Sequence, residues 1–508
     1  MNINLSVISI IILLFVFGIL SVPFYAKSQS HNYWTNSFNE ESSLLSGAVV
    51  GGGAGPSAIY YNPASISEIT ESKLSFNASL FSFNFYKAQN ALGEGIDIET
   101  SKVVIEPRFI SFMIKPKKHP EWSLEIAFLN NEKYEVDFTQ SVDKRMDILT
   151  NLPGEERYYT YVQYSNKYRD DWFGIGGSWE INPSLYIGAS MFVSVKSLQY
   201  NFLMDIEAFP LDSVFINDDY IPFYSADYYQ LDYVKYNDYR LLWKLGFLYK
   251  KERFSIGVNI TTPSLGGIYS DGKKVTRKVK QSNISLPETG EPIPNYVIVD
   301  HKEAKDVFVN SKSPLSVAAG FTYYLKDKKK ALYTTVEYFA GLDPYRLVQA
   351  NENPDLAAGS VFENLAFNEW LTFVSGARPV FNAAVGYRWF IKETLMLLTG
   401  FRTDFNYQKK LDFKPYAENK LIKGLDLDIY HITGGLSWRI KGQDLMTGLQ
   451  YTIGGEKKQK QFVNMSDPVE YNTTEMLPLQ GTRQYTMNTF FSSISIYFGA
   501  TFNFGGGK

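Results

Sequence analysis

Residues 494–504 read Ile494-Ser495-Ile496-Tyr497-Phe498-Gly499-Ala500-Thr501-Phe502-Asn503-Phe504. Ile494, Ile496, Phe498, Ala500, Phe502 and Phe504 share one face of an extended chain, and Ser495, Tyr497, Gly499, Thr501 and Asn503 share the other. A period of two marks a strand with one apolar side. Strands of soluble sandwiches average about 5–6 residues, whereas a tilted strand that crosses a bilayer needs about 9–11. This run is of the second kind. Leu185, Ile187, Ala189, Met191, Val193 and Val195 likewise alternate with Tyr186, Gly188, Ser190, Phe192 and Ser194, and similar runs lie at 254–260, 315–325, 381–391 and 395–405.

The periodicity predicts fourteen strands, at about 73–87, 102–115, 121–138, 157–181, 184–203, 229–250, 252–269, 305–326, 330–346, 378–391, 393–408, 425–441, 443–455 and 487–504. Short turns follow the even-numbered strands, at 115–121, 182–184, 250–253, 326–330, 392–393 and 441–443, and long loops such as 204–228, 270–304, 347–377 and 456–486 follow odd-numbered ones. An even strand number with this alternation of turn and loop is expected of a closed outer-membrane barrel with both termini in the periplasm. Closure satisfies every backbone amide in hydrocarbon, where water cannot. One strand fits poorly: Leu425, Leu427 and Ile429 alternate in one phase and Ile432, Leu436 and Trp438 in the other, which predicts a bulge between Tyr430 and Gly435. The expected fold is therefore all-β, a 14-stranded antiparallel transmembrane β-barrel over 73–508. The 36 Tyr, 37 Phe and 37 Gly suit strands and turns.

The first 30 residues stand apart. Leu5 to Val22 is almost wholly apolar and is followed by Pro23 and the small-residue exits Ala26-Lys27-Ser28 and Ser28-Gln29-Ser30. This reads as a signal peptide over 1–30, cleaved between Ser28 and Ser30, with an uncleaved anchor as the alternative because the start carries no Lys or Arg. At the other end, Tyr497 to Phe504 resembles the aromatic terminal strand read by the outer-membrane assembly machinery, with Gly499 five residues before the last aromatic and Gly505-Gly506-Gly507-Lys508 added after it.

Residues 31–72 do not alternate. They contain Ser46-Gly47-Ala48-Val49-Val50-Gly51-Gly52-Gly53-Ala54-Gly55-Pro56-Ser57-Ala58-Ile59-Tyr60-Tyr61-Asn62-Pro63-Ala64. A glycine-rich segment tethered to one end of a barrel is placed to fold into the lumen as a plug. It is not a phosphate loop, since no strand precedes the glycines and no Lys-Ser/Thr pair follows them. The glycine stretch, then Ser-Ala-Ile-Tyr-Tyr-Asn-Pro-Ala, then fourteen strands resembles the FadL-type long-chain fatty-acid transporters of the outer membrane. The resemblance implies that Asn62, Pro63 and Ala64 belong to an N-terminal hatch over 31–72. It matches residue by residue only at about 47–66, and Ser65 stands where the family usually has Gly.

If the apolar faces meet lipid, the opposite faces line the lumen, with Glu125, Lys244, Glu337, Arg388, Arg402 and Asp404 beside Tyr186, Phe192, Tyr324, Phe339, Phe390, Met396, Leu398 and Tyr497. A lipid-facing Lys or Arg costs about 2–4 kcal/mol at the bilayer midplane, so these charges are expected inside. A mixed lumen suits an amphipathic ligand, and Phe192, Phe339, Arg388, Phe390 and Arg402 are the expected ligand contacts, a carboxylate meeting Arg388 or Arg402. The expected function is passive uptake of long-chain fatty acids or other hydrophobic compounds, with release by hatch rearrangement. The alternatives are a same-fold barrel that serves a protein-secretion partner and a general porin. The near-neutral net charge of −3 gives no support to nucleic-acid binding. With no Cys, four dispersed His, and neither an HExxH nor a GxSxG string, no catalytic residue, metal site or cofactor is expected.

Overall fold

The computed structural model describes residues 31–503, apart from 217, 222, 287–293, 326–327, 354–365, 409–410, 412–420, 425 and 441–442. The expected leader, Leu425, Phe504 and the tail 505–508 lie outside the described residues. Fourteen strands form the wall: β1 Lys73–Gln89, β2 Ile98–Ile114, β3 Trp122–Met146, β4 Glu156–Asn182, β5 Leu185–Pro210, β6 Ala226–Lys250 and β7 Phe254–Thr261. The second half follows as β8 Ser316–Tyr324, β9 Lys330–Phe339, β10 Val380–Lys392, β11 Leu395–Asp404, β12 Asp428–Ile440, β13 Gln443–Gln459 and β14 Met487–Asn503. Each pairs antiparallel with its sequence neighbours, and β14 pairs with β1 from Lys73↔Asn503 to Gln89↔Asn488, which closes the ring. The short turns gather at one end, where β1 begins and β14 finishes, and the long connections gather at the other.

The wall wears its apolar side outward. Ile187 and Val193 on β5, Phe247 on β6, Ile256 and Ile260 on β7, and Phe381 and Val385 on β10 are exposed. Their inward neighbours Ser190, Ser194, Lys244, Ser255, Asn259 and Asn382 are buried. Among the described residues no helix is long and apolar enough to cross a membrane, and the exposed belt is what a strand-built membrane span requires.

Toward the loop end this polarity inverts. On β5 the inward series Ser190, Phe192, Ser194, Lys196 passes into Leu198, Tyr200, Phe202, Met204 and Ile206, while the outward series passes from Met191 and Val193 to Gln199, Asn201 and Asp205. Tyr134 and Val136 on β3, Tyr158 and Val162 on β4, and Val234 and Tyr236 on β6 join the same core. So do Val279, Trp370, Phe373, Leu427 and Met465 from the long connections. The upper strands are thus a water-facing extension wrapped around an apolar cap.

This inversion accounts for where the expected strands differ from those observed. The anticipated bulge in β12 is absent: its pairings with β11 and β13 run without a register shift. Leu427 and Ile429 face inward into the cap, whereas Ile432 faces outward into lipid, so the change is in what each face touches and not in phase. The seventh wall strand stops at Thr261, and Leu265–Ser282 runs on beside β6 and pairs with Val297–Lys305 above the wall. The eighth begins at Ser316 instead of 305, the ninth ends at Phe339 instead of 346, and β5 extends to Pro210 with a small hairpin at 214–221 beyond it. Alternation persists in all of these because one side still packs on a core.

The belt makes a quantitative prediction. Phe247→Arg should lower the folding free energy by about 2–4 kcal/mol in lipid, whereas Gln199→Arg, on the outward face beyond the inversion, should change it by no more than about 0.5 kcal/mol. Urea titration of the reconstituted protein measures both.

Candidate functional site: the barrel lumen

Residues 32–69 lie within the ring, against the inward faces of strands on every side. The segment has little regular structure: a turn of helix at Glu40–Leu44, a 3-10 turn at Gly55–Ser57, a second turn of helix at Ala58–Tyr61 and a 3-10 helix at Pro63–Glu68. Asn62 organises the bend between the last two. Its Nδ2 donates to the carbonyls of Val50 (2.9 Å) and Phe247 (3.0 Å), and its Oδ1 accepts from the amide of Ala64 (3.1 Å). One side chain therefore ties the glycine-rich stretch, the 3-10 helix and the wall together.

The wall makes room by omitting side chains. Gly188 and Gly246 face one another across β5 and β6, beneath the backbone of Pro63 and Ala64 and the side-chain amide of Asn62. Gly257 and Gly320 face one another across β7 and β8 beneath Val50 and Gly51. Gly386 with Gly400 receives Leu45 and Ser46, and Gly435 with Gly448 receives Leu44. At each of these positions an added Cβ would come within about 3 Å of the segment or of the neighbouring strand, closer than carbon atoms tolerate. Polar ties complete the seat: Ser190 Oγ donates to the Ile59 carbonyl (2.9 Å), Ser111 Oγ to that of Pro56 (3.0 Å), and the Ile59 amide donates to Glu125 Oε2 (3.2 Å).

Between this segment and the cap lies a cavity of about 140 Å³. Tyr33 forms its floor in a stack, with Phe339 at 4.2 Å on one side and Tyr407 at 4.4 Å on the other. Tyr60, Trp172, Tyr168, Tyr236 and Tyr345 add aromatic wall. Three lysines reach it, one of them Lys312, whose Nζ lies 4.6 Å from the centre of the Tyr345 ring. Lys196 Nζ donates to Ser313 Oγ (2.7 Å), and Lys244 Nζ donates to Thr261 Oγ1 (3.0 Å) while lying 4.3 Å from the centre of the Tyr60 ring. Lys244 forms no direct ion pair among the described residues, and the indole Nε1 of the neighbouring Trp172 has no hydrogen-bond partner. Glu337 is engaged by Trp34 Nε1 (2.7 Å) and Ser316 Oγ (2.6 Å). The cavity thus combines aromatic faces with lysine donors and with the carboxylates Glu132, Asp170 and Glu337, so an apolar body finds aromatic contact and an end that accepts hydrogen bonds finds a cation. In the cap above, Lys423 lies 3.7 Å from the centre of the Phe202 ring, and burial lowers its ammonium pKa to about 8.

Of the ligand contacts expected from the sequence, Phe339 lines the cavity. Phe192 packs behind Trp172, ring centres 5.1 Å apart. Arg402 donates to Ser37 Oγ and to the Thr35 carbonyl, so its guanidinium holds the N-terminal segment. Arg388 sits lower, 3.9 Å from Glu41, against the rings of Tyr333 and Phe390. Alternation marks all of these as inward but does not give their height in the lumen. Trp172 and Lys244 are inward at the level where polarity inverts, which is the signal that finds the cavity.

The chain is thus a closed fourteen-stranded membrane barrel with an internal N-terminal segment. No protein-family model matches it, and no curated protein is similar in sequence. Its fold is shared with solved structures. The P. putida toluene transporter TodX aligns with a TM-score of 0.52 at 12% identity, over 92% of this chain and 99% of that one. A Pseudomonas aeruginosa FadL homologue aligns with 0.52 at 11%, over 93% and 100%. The Ralstonia pickettii toluene transporter TbuX aligns with 0.50 at 12%, over 92% and 98%. The FadL-type barrel expected from the sequence is the fold these chains have in common.

The glycine seats are testable. Gly257→Val places its side chain where the Val50 carbonyl lies and should unseat the segment, giving steady conductance in planar bilayers and protease cleavage within 31–72. Gly434→Ala, at a wall position with open space, should stay closed. A closed Gly257→Val barrel would contradict the seating.

Proposed function

We propose that this chain is an outer-membrane channel for passive uptake of long-chain fatty acids or other hydrophobic compounds. The observation that carries the reading is the aromatic cavity between the N-terminal segment and the cap, with Lys244, which forms no ion pair among the described residues, in its wall. A water-filled porin has no use for such a chamber. In this reading 1–30 is a cleaved leader, 31–72 is the hatch with Asn62-Pro63-Ala64 as its hinge-forming turn, and both ends of the mature chain face the periplasm. The outer-membrane assembly machinery would read β14. The toluene and FadL-homologue names of the similar structures support hydrophobic cargo.

Entry begins at the loop end, where Leu211, Phe215, Tyr220 and Phe223 are exposed, Phe223 at 94%. Apolar side chains held in water capture apolar ligand from dilute solution. The ligand then passes the cap and settles with its polar end toward Lys244 and its body against Tyr33, Tyr60 and Phe339. Release requires the hatch to leave its glycine seats. No bond is made or broken and no energy source is needed, since a concentration gradient suffices.

Lipid extraction of the purified protein should yield tightly bound fatty acid, and Lys244→Met should weaken oleate binding about tenfold, or about 1.4 kcal/mol, while leaving the folded barrel intact. Recovery of bulk phospholipid and detergent alone, with oleate binding unchanged in the variant, would refute the assignment.

A further inference from the structure

The turns at the short-turn end of the barrel are unequally charged. Three that neighbour one another in the ring, β6–β7, β8–β9 and β10–β11, gather Lys251, Arg253, Lys328, Lys329, Lys330 and Lys392 at their tips and adjoining strand ends. Among the described residues only Glu252 and Glu393 oppose them there. The β4–β5 turn, Pro183-Ser184, carries no charge, and Arg439 beside the β12–β13 turn is matched by Asp444 at 2.6 Å. Lys250, just inside the same rim, turns to the lumen and meets Glu68 at 2.7 Å. Lys251, Arg253, Lys328, Lys330 and Lys392 form no ion pair among the described residues. Successive turns stand two strands apart, or about 10 Å, within reach of mutual repulsion at physiological salt. An excess of one sign over three adjacent turns therefore destabilises the rim unless an anion lies among them.

Two of these cations are fixed against the lipid-facing wall. Lys330 Nζ lies 5.4 Å from the centre of the ring of Trp389, its partner across β9 and β10, and Lys251 Nζ lies 5.8 Å from that of Tyr249. Trp389 is exposed on the outward face, and Tyr249 shares that face with Phe247 on β6. From the rim into the belt the outward surface is hydrocarbon and aromatic, with Ile256, Phe321, Leu332 and Ile391 exposed. Ammonium groups held over rings at the margin of such a belt sit at head-group depth, their stems along apolar surface. Positive charge and acyl-chain contact are thus continuous on this side of the barrel. Lys117 and Lys118 of the β2–β3 turn are also exposed, but among the described residues neither stacks on a ring.

We propose that the rim from β6 to β11 is a binding site for anionic phospholipid of the leaflet on the turn side. The head-group phosphate sits among Lys251, Lys328, Lys330 and Lys392, and the acyl chains lie along the outward faces of β7 to β10. The site is on the outside of the wall and does not depend on what the lumen carries.

Because the chain has no cysteine, Thr394→Cys in the β10–β11 turn accepts a single fluorophore. In nanodiscs of phosphatidylcholine, phosphatidylglycerol with a nitroxide on its acyl chain near the head group should quench this label. Half-quenching should need at least about fivefold less of it than of phosphatidylcholine or phosphatidylethanolamine labelled in the same way. Lys251→Glu combined with Lys330→Glu should abolish the preference. Lys251→Arg combined with Lys330→Arg should keep it, which leaves the test decisive should charge reversal disturb folding. Lys117→Glu with Lys118→Glu, an equal change of net charge on another turn, should leave the preference intact, and inorganic phosphate at matched ionic strength should not compete. Equal quenching by phosphatidylglycerol and phosphatidylcholine would overturn the site. So would an equal loss of preference in the Lys117 and Lys118 variant, since the effect would then be one of net charge. Competition by inorganic phosphate would overturn it as well, because the wall would then contribute nothing.

Discussion

Everything in this molecule follows from the fact that hydrocarbon offers no partner to a backbone amide. Each strand that crosses the belt must find its hydrogen bonds in its neighbours, and a finite sheet can do this only by meeting itself. The pairing of β1 with β14 is that meeting. Where the rule is relaxed, between the upper parts of β2 and β3, the strands back onto a hydrophilic chamber and not onto lipid alone. The exception obeys the same constraint, since water in the chamber can serve the free amides.

Closure creates a lumen, and the chain fills it in layers. The N-terminal segment occupies the turn end on a floor of facing glycines, and the long connections fold over the loop end around Trp370, Phe373 and Tyr200. What remains between is small, aromatic and supplied with a lysine that forms no ion pair among the described residues. The two fillings are held differently. The segment is tied by hydrogen bonds, each contributing about 0.5–1.5 kcal/mol, through residues such as Ser190, Glu125 and Asn62, and by two less buried ion pairs, Lys250 with Glu68 at 2.7 Å and Arg388 with Glu41 at 3.9 Å. The cap is anchored by a buried ion pair, Arg277 of Leu265–Ser282 with Asp232 of β6 at 2.8 Å, and by hydrogen bonds from Arg240 of β6 to Ser264 (2.8 Å) and from the Ser311 amide to Asp238 of β6 (2.9 Å). Removing one partner of such a buried pair costs about 3–5 kcal/mol.

The ring and its rhythm of turns and loops were legible because period-two alternation and turn length are local properties. The top of the membrane was not. On β5 the apolar residues are odd-numbered from Ile187 to Val195 and even-numbered from Leu198 to Ile206, while the pairing with β4 and β6 keeps one register across the change, so the switch near Lys196 marks a change of surroundings that a local reading does not distinguish from a bulge. That is why Leu427 and Ile432 looked like two phases of a bulged strand when they are one phase in two surroundings. The site was harder still. Arg402 and Lys244 are both inward charges on adjacent-looking strand patterns, but Arg402 donates to Thr35 and Ser37 of the segment whereas Lys244 donates to Thr261 of the wall and lines the cavity beside Tyr60, and only the path of residues 31–72 through the lumen decides between them. The bulge at Arg108 depends on a register between two strands, which composition does not encode.

The central claim is that the wall crosses lipid up to the inversion and stands in water beyond it. Single cysteines at outward positions of β5, spin-labelled in liposomes, test this directly by their relative accessibility to oxygen and to a water-soluble nickel chelate. Labels at 187, 189, 191 and 193 should favour oxygen, and labels at 199, 201, 205 and 207 should favour nickel, with the crossover near 195–197. Uniform preference along the strand, in either direction, would contradict the account.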